Sequence, residues 1–598
     1  MACLWQNSKH CFLGGRLQSL KRLLPLLKQY QGRVYLGFFA FFLARFFEVS
    51  TYYLVAEGID QIGLLLKDSV SELSLGLITA GIVLCVFVRF LVVSYARRAI
   101  RRVGIALSYD LRQRLYHSVL RQSMDFYARI SIGDVMTRAI QDIALIQRLI
   151  AFGLIAIVIM FFAPLFGVGA MLLKSTTLTL LTVPLLPAIF IYAFKMTGEM
   201  GRSSKEVQEK LSELSTHTQE NLSGIRTIQA QVQEENEIQR FWETNNNYAA
   251  AFFEQARINS LMTAWMPFLA AVAQLIIILY GGHLVMNNQM SVGDLVFFLA
   301  CLNMLLGPIR MAGMLVMLLQ RAAVATDRLF EIFDAEPQIR DHPTGATPGQ
   351  IRGGFELRNV RFAYPGSDKP VLNDISLEIA PGESLAIVGR IGSGKSTLLK
   401  LFTRIADTPR GQLFLDGHDV CDYPLKQLRA EVAQVLQDAF LFGEPLQNNI
   451  SYDDPERNLE LIWDAAESAS LKESIADFPL QMETIVGERG VTLSGGQRQR
   501  TTLARGLIRD APVLILDDCF SSVDTETEEH ILARLKEMRR DKTTILVSHR
   551  ISTLRHSDRI VVLDEGRVIE MGSHQELLLK NGAYAQLERA QTLKESAA

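Results

Sequence analysis

Cysteine is scarce in this sequence and never closely paired. The six thiols (Cys3, Cys11, Cys85, Cys301, Cys421 and Cys519) are scattered, with no Cys-x-x-Cys pair. That excludes a disulfide framework or a thiolate metal site. An excess of one charge is missing too, with 61 Lys and Arg against 63 Asp and Glu. Nucleic-acid binders carry a basic footprint, so no nucleic-acid partner is expected. No small-residue cleavage site follows a short apolar core near the N-terminus, which argues against a signal peptide. What the chain has in abundance is apolar residues. Mean hydropathy is +0.17, and the apolar excess lies in the first half. A chain of 598 residues is also too long for one compact core. The expected organisation is a membrane domain followed by a soluble one.

Arg16 to Tyr30 alternates Leu with Lys and Arg at helical spacing, which predicts an amphipathic helix on the membrane surface. Six apolar runs of the roughly 20 residues needed to cross a bilayer then follow, near 33–57, 74–98, 149–173, 175–200, 258–286 and 292–322. Residues 1–33 carry six Lys or Arg and no acid, whereas the loop after the first span carries Glu57, Asp60, Asp68 and Glu72 against Lys67. The positive-inside rule therefore puts the N-terminus in the cytoplasm. The connections 99–148 and 201–257 are long and helical in period, so the spans are expected to continue into the cytoplasm. Their breaks, Ser131–Asp134 and Leu222–Ile225, are turns expected to dock on a motor domain.

Pro337 to Gly354 has linker composition, and beyond it short β-branched runs alternate with helical stretches, as in a parallel α/β sheet. Leu385–Val388 reads as a buried strand. Gly389, Arg390, Ile391, Gly392, Ser393, Gly394, Lys395, Ser396 and Thr397 follow it, and then a helical Leu-Leu-Lys. This is the phosphate-binding pattern G-x-x-x-x-G-K-S in its strand–loop–helix setting. Its glycines let backbone N–H groups close around phosphates at a helix N-terminus. Lys395 is expected on the β- and γ-phosphates and Ser396 on Mg²⁺. Val513–Leu516 is a second buried strand ending in Asp517, placed to hold the same Mg²⁺.

Leu493-Ser494-Gly495-Gly496-Gln497 precedes another helix. With the preceding motifs it resembles the ATP-binding-cassette (ABC) family, and the resemblance spans the whole chain: six spans, a linker, then the cassette. It implies that Tyr364 stacks on adenine and that Gln437 senses Mg²⁺ and the attacking water. It implies that Asp524 lies at a dimer seam, His549 at the γ-phosphate, and Glu488 in an exporter-type loop touching the membrane domain. In the family the signature residues Ser494, Gly495, Gly496 and Gln497 bind ATP held by the other subunit, so two cassettes sandwich two ATP molecules.

One position departs from the family. The residue after the strand-end aspartate is usually Glu, the general base; here it is Asp518. Losing a methylene withdraws the carboxylate by about 1 Å, which can cost on the order of 100-fold. The site on this chain's own loop is expected to bind ATP and hydrolyse it slowly, while its intact signature serves the other site. That resembles the weak-site subunit of heterodimeric exporters, and a heterodimer is favoured over a homodimer.

Ionisable residues inside spans are functional candidates. Arg45 and Glu48 are spaced to pair, and Arg89 reads as snorkelling from the cytoplasmic end of its helix. Arg310 follows a kink at Gly307-Pro308, among Met304, Met311, Met314 and Met317, with Gln274 and Asn303 as polar neighbours. The expected fold is an α-helical membrane domain of six helices with long cytoplasmic extensions, fused to an α/β P-loop cassette. Its segments are 1–31 surface helix, 32–328 membrane domain, 329–352 linker and 353–598 cassette. The expected function is ATP- and Mg²⁺-dependent export of hydrophobic or amphipathic compounds with a second half-transporter, across a bacterial inner membrane. A homodimeric exporter of lipid, peptide or glycolipid is the alternative. Six spans disfavour a soluble repair or ribosome ATPase.

Overall fold

In a computed structural model of the chain, residues 18–65, 72–341, 349–367, 369–487, 490 and 492–595 are described. Arg16, Lys67, Asp68, residues 342–348 of the linker and Glu488 lie outside them, as does the Arg310 side chain. The chain divides into two compact units, residues 1–120 with 131–335, and residues 121–130 with 336–598.

The first unit is helical. Among the described residues six helices are long and apolar enough to cross a membrane: Gln31–Gly63, Leu75–Leu120, Ile132–Lys174, Thr176–Ser223, Glu234–Met286 and Val292–Phe333. At 1.5 Å per residue they run about 50 to 80 Å, well beyond about 30 Å of hydrocarbon, so the expected extensions are present. A short helix at Ile225–Ala230 fills the break between the fourth and fifth long helices, while the short helix Met124–Arg129 belongs to the second unit. Ser131 Oγ caps the next helix by accepting from the Asp134 N–H. On the N-terminal segment, Arg22 pairs with Asp334 at 2.7 Å and its guanidinium lies over the Phe330 ring. Spans three and six are tied by Arg138, which reaches Glu331 at 2.7 Å.

The intramembrane charges sort differently from the expectation at one point. Arg45 pairs with Glu48 as the spacing suggests. Arg89, however, does not snorkel: its guanidinium reaches Glu48 at 2.5 Å from the second span, and Tyr52 donates to the same carboxylate at 3.3 Å. A buried carboxylate in an apolar domain is retained when it is paired, and Glu48 is 6% exposed. Gln274 donates to Asn303 at 3.3 Å. Met304 is core, packed so closely on Gly167 that a Cβ there would lie 2.8 Å from its terminal methyl, whereas Met314 is exposed. Pro308 lies inside an unbroken helix.

The second unit is built on two sheets. Strands β1 (Phe355–Phe362), β2 (Leu372–Ile379), β4 (Leu413–Leu415) and β5 (His418–Asp419) form an antiparallel sheet in the order β2-β1-β4-β5. The larger sheet contains β3 (Ser384–Gly389), β6 (Val432–Val435), β7 (Val513–Asp517), β8 (Thr543–Val547), β9 (Arg559–Asp564) and β10 (Arg567–Gly572). Its order is β10-β9-β3-β8-β7-β6, parallel except for the β9–β10 hairpin. β7 is buried at every residue, which explains its continuous apolar run. Helices α1 (Lys395–Phe402), α2 (Gly495–Leu507) and α3 (Thr525–Met538) follow.

Candidate nucleotide site

In parallel α/β sheets ligands sit beyond the carboxyl ends of the strands. Four neighbouring strands end here on chemistry-bearing residues. β3 leads into Arg390–Gly394, β8 into His549, β7 ends on Asp517 with Asp518 next, and β6 leads into Gln437. Gln437, Asp517, Asp518 and His549 line one cavity of about 530 Å³ together with Val371, Ile391–Thr397 and Val547.

The loop's shape depends on glycine. Gly392 has φ +85° and Gly394 φ +99°, a region that side-chain-bearing residues rarely adopt. A Cβ on Gly394 would also lie 2.7 Å from Leu372 Cδ2. Gly394 forms the N-cap of α1, so the loop turns its N–H groups toward the helix start. Lys395 Nζ donates to the carbonyls of Gly389 (2.8 Å) and Arg390 (2.9 Å). Burial lowers its pKa, against the opposing charges of Asp518 and Asp517. An ammonium so placed favours an arriving polyanion.

The residues fit a magnesium nucleotide. Ser393 Oγ is buried with no partner, an open hydrogen-bonding group inside a phosphate-type loop. Ser396 Oγ donates to Asp517 Oδ1 at 3.5 Å, bringing two hard oxygen ligands side by side. Asp517 has a raised pKa, chiefly from burial, with Asp518 adding to it and the Ser396 hydrogen bond opposing it. A cation would relieve that cost. Among the described residues no group of three or more His, Cys, Asp or Glu is arranged to hold a metal. This suits a cation held by few protein ligands plus phosphate oxygens.

The signature residues are elsewhere. Ser494 caps α2 in a reciprocal box: its Oγ accepts from Gln497 N–H at 3.2 Å and Gln497 Oε1 accepts from Ser494 N–H at 2.9 Å. The hydroxyl proton of Ser494 remains free to donate. Neither these residues nor Gly495, Gly496 or Asp524 line the cavity.

Two family models match the chain, the ABC transporter transmembrane region over residues 34–309 and ABC transporter over residues 372–521. The ATP-dependent lipid A-core flippase of Syntrophus aciditrophicus is 33% identical over 577 residues, 96% of this chain and 95% of the flippase. The chain belongs to the ABC transporter family. A putative multidrug export ATP-binding/permease protein of Bacillus subtilis is 35% identical over 81% of this chain and 84% of its own length. A solved bacterial Atm1-family ABC exporter with ATP bound superposes with a TM-score of 0.75 at 25% identity, over 94% of this chain and 99% of that one. As an ABC exporter this chain is a multi-pass membrane protein that couples ATP hydrolysis to transport.

Within the ABC cassette, Asp518 has φ +45°, a left-handed conformation that Asp tolerates better than most residues. Gln437 Nε2 donates to Asp518 Oδ2 at 3.3 Å, so the two sit together in the cavity. Asp524 caps α3, its carboxylate accepting from Thr527 N–H at 2.9 Å. That backbone hydrogen bond is the leading cause of its lowered pKa. Tyr364 is tied to α1, its hydroxyl 3.1 Å from Thr397 Oγ1 with Lys400 near its ring. It does not line the cavity itself.

Sequence reasoning missed Gln499. Buried on α2, it donates to Ser521 Oγ at 2.7 Å and accepts from Ser522 N–H at 2.7 Å. It thereby fixes the signature helix to the segment leading into Asp524. The available signal was a polar residue on the helix face that also carries Leu503 and Gly506.

Proposed function

We propose that this chain is the weak-site half of a heterodimeric exporter of hydrophobic or amphipathic compounds. The carrying observation is the separation of the signature from the chain's own nucleotide cavity, combined with Asp518 at the position of the base. The signature helix N-terminus, with a free hydroxyl and glycine N–H groups, suits a γ-phosphate, and its Ser494, Gly495 and Gly496 do not line this chain's own cavity. A second cassette supplies the complement. Lys395 and the 389–397 backbone hold the phosphates, Ser396, Asp517 and Gln437 surround Mg²⁺, Tyr364 flanks the base, and His549 faces the γ-phosphate. Magnesium, when bound, neutralises charge on the phosphates. The protein orients the water and positions Asp518 short of full reach.

The lipid A-core flippase and multidrug relatives support an amphipathic cargo. Arg45 and Arg89 sharing Glu48 leave more positive than negative charge in that part of the membrane domain, which favours cargo with an anionic group. The charge asymmetry of the loops supports a cytoplasmic cassette in a bacterial inner membrane. The segments 1–31, 32–328, 329–352 and 353–598 serve as surface helix, translocation domain, linker and motor.

Co-purification with the neighbouring half-transporter tests the assembly. The expected result is a one-to-one complex whose ATPase activity exceeds that of this chain alone by at least tenfold. Robust turnover by the chain purified alone refutes it.

A further inference from the structure

A second cavity lies at the opposite edge of the large sheet from the nucleotide. It measures 540 Å³ and is enclosed by the starts of β3 and β8, by the C-terminal half of α3 and by residues 556–558. Three cations face it, Lys536, Arg539 and Arg540, against two carboxylates, Glu537 and Asp558.

Arg539 is the anomaly. It is 9% exposed, and four of its contacts go to neutral oxygens: Ala511 O (3.0 Å), Pro512 O (3.3 Å), Thr543 O (2.9 Å) and Thr544 Oγ1 (3.1 Å). Among the described residues no carboxylate pairs with it. A buried guanidinium without a counter-ion is costly, and burial brings its pKa down to about 10. Asp510, the opposing charge that acts on it, is engaged by Lys542 at 2.5 Å. One of the five guanidinium N–H donors stays unused.

The surrounding groups repeat the pattern. His556 Nε2 is buried with no partner. Lys536 makes only a 3.5 Å contact to His556 O, and Arg540 has no partner among the described residues. Asp558 accepts from Ser384 N–H at 3.0 Å through one of its two oxygens. Glu537 is likewise unpaired among the described residues, so the lining carries three cations against two carboxylates, an excess of one positive charge.

We propose that this cavity binds a compact oxyanion, phosphate or carboxylate, of a small molecule. Lys536 and Arg540 hold it at the rim, and Arg539 lies beneath them at depth. The site stands at the far end of α3 from Asp524, the cap near the signature helix. It is separate from the nucleotide cavity, with which it shares no lining residue.

The test uses the full chain in lipid nanodiscs carrying Lys395→Ala, which removes phosphate binding at the loop. Two probes separate the chemistries, glycerol 3-phosphate for phosphate and citrate for carboxylate, each titrated by ligand-observed NMR. The expected result is saturable binding of at least one probe, weakened about tenfold by Lys536→Ala/Arg540→Ala, two exposed positions whose change leaves the melting temperature intact. Binding of one probe alone identifies the group recognised. Absence of saturable binding for both, or equal binding by the double variant, overturns the proposal.

Discussion

Neutralising Asp518 discriminates a working base from a carboxylate that falls short. Asp518→Asn keeps the shape and the Gln437 contact at 3.3 Å but removes the charge. Relative to the usual Glu, Asp518 is shorter by one C–C bond, at most about 1.5 Å. A 1 Å misplacement costs about 100-fold, or about 2.7 kcal/mol at 1.36 kcal/mol per decade. A fully engaged general base is worth about 10²- to 10⁴-fold, so the shortfall removes half or more of that contribution in free energy, and turnover falls to the other ATP site. Asp518→Asn should therefore change turnover of the assembled transporter less than about threefold. Ser494→Arg, which blocks the signature offered to the other ATP, should abolish it. The assay is phosphate release at saturating ATP by the complex in nanodiscs. A complementary gain is expected when the partner's own base is neutralised. Asp518→Glu should then raise the residual rate, by less than the full 100-fold because φ +45° suits Glu less well than Asp. Equal losses from Asp518→Asn and Ser494→Arg would refute the reasoning.

Gly394→Ala should destabilise the cassette by about 1–3 kcal/mol, from its left-handed φ and the close Leu372 contact, and ATP-analogue binding should fall with it; unchanged affinity counts against the loop geometry. Glu48→Gln leaves Arg45 and Arg89 without their shared carboxylate and should cost about 3 kcal/mol, read as a lower thermal midpoint. Recovery in a variant that also carries Arg89→Gln would identify the pair rather than the residue as the cause. Gln499→Leu should strand the Ser521 hydroxyl and Ser522 N–H at about 1–3 kcal/mol, reducing complex ATPase about tenfold while this chain still binds nucleotide. Full activity in that variant would show that the signature helix holds its position without Gln499.

Much of the fold was legible because its signals are local. A span needs only about 20 apolar residues in a row, and all six coincide with long helices. The phosphate loop is equally local, since strand, glycines, lysine and helix are contiguous and each dictates the backbone of the next. Asp517, Asp518, Gln437 and His549 were recognisable one motif at a time. Their convergence required the strand order β3-β8-β7-β6, which brings four separate strand ends into one row.

Contacts between distant segments were not legible. Arg89 looks like a snorkelling residue until the second span packs on the first and Glu48 comes within 2.5 Å. Gln499 looks like an ordinary helical glutamine until Ser521 and Ser522 lie beside it. Arg539 and His556 carry no motif at all.

The sequence by itself determined that this chain spans a membrane and carries a phosphate-binding motor, because hydrophobic length and loop chemistry act over a few residues. Only the tertiary structure decided which charges neutralise one another and which stay unspent. It also decided that the signature stands outside the chain's own cavity, because burial and ion pairing are set by segments that meet only when folded.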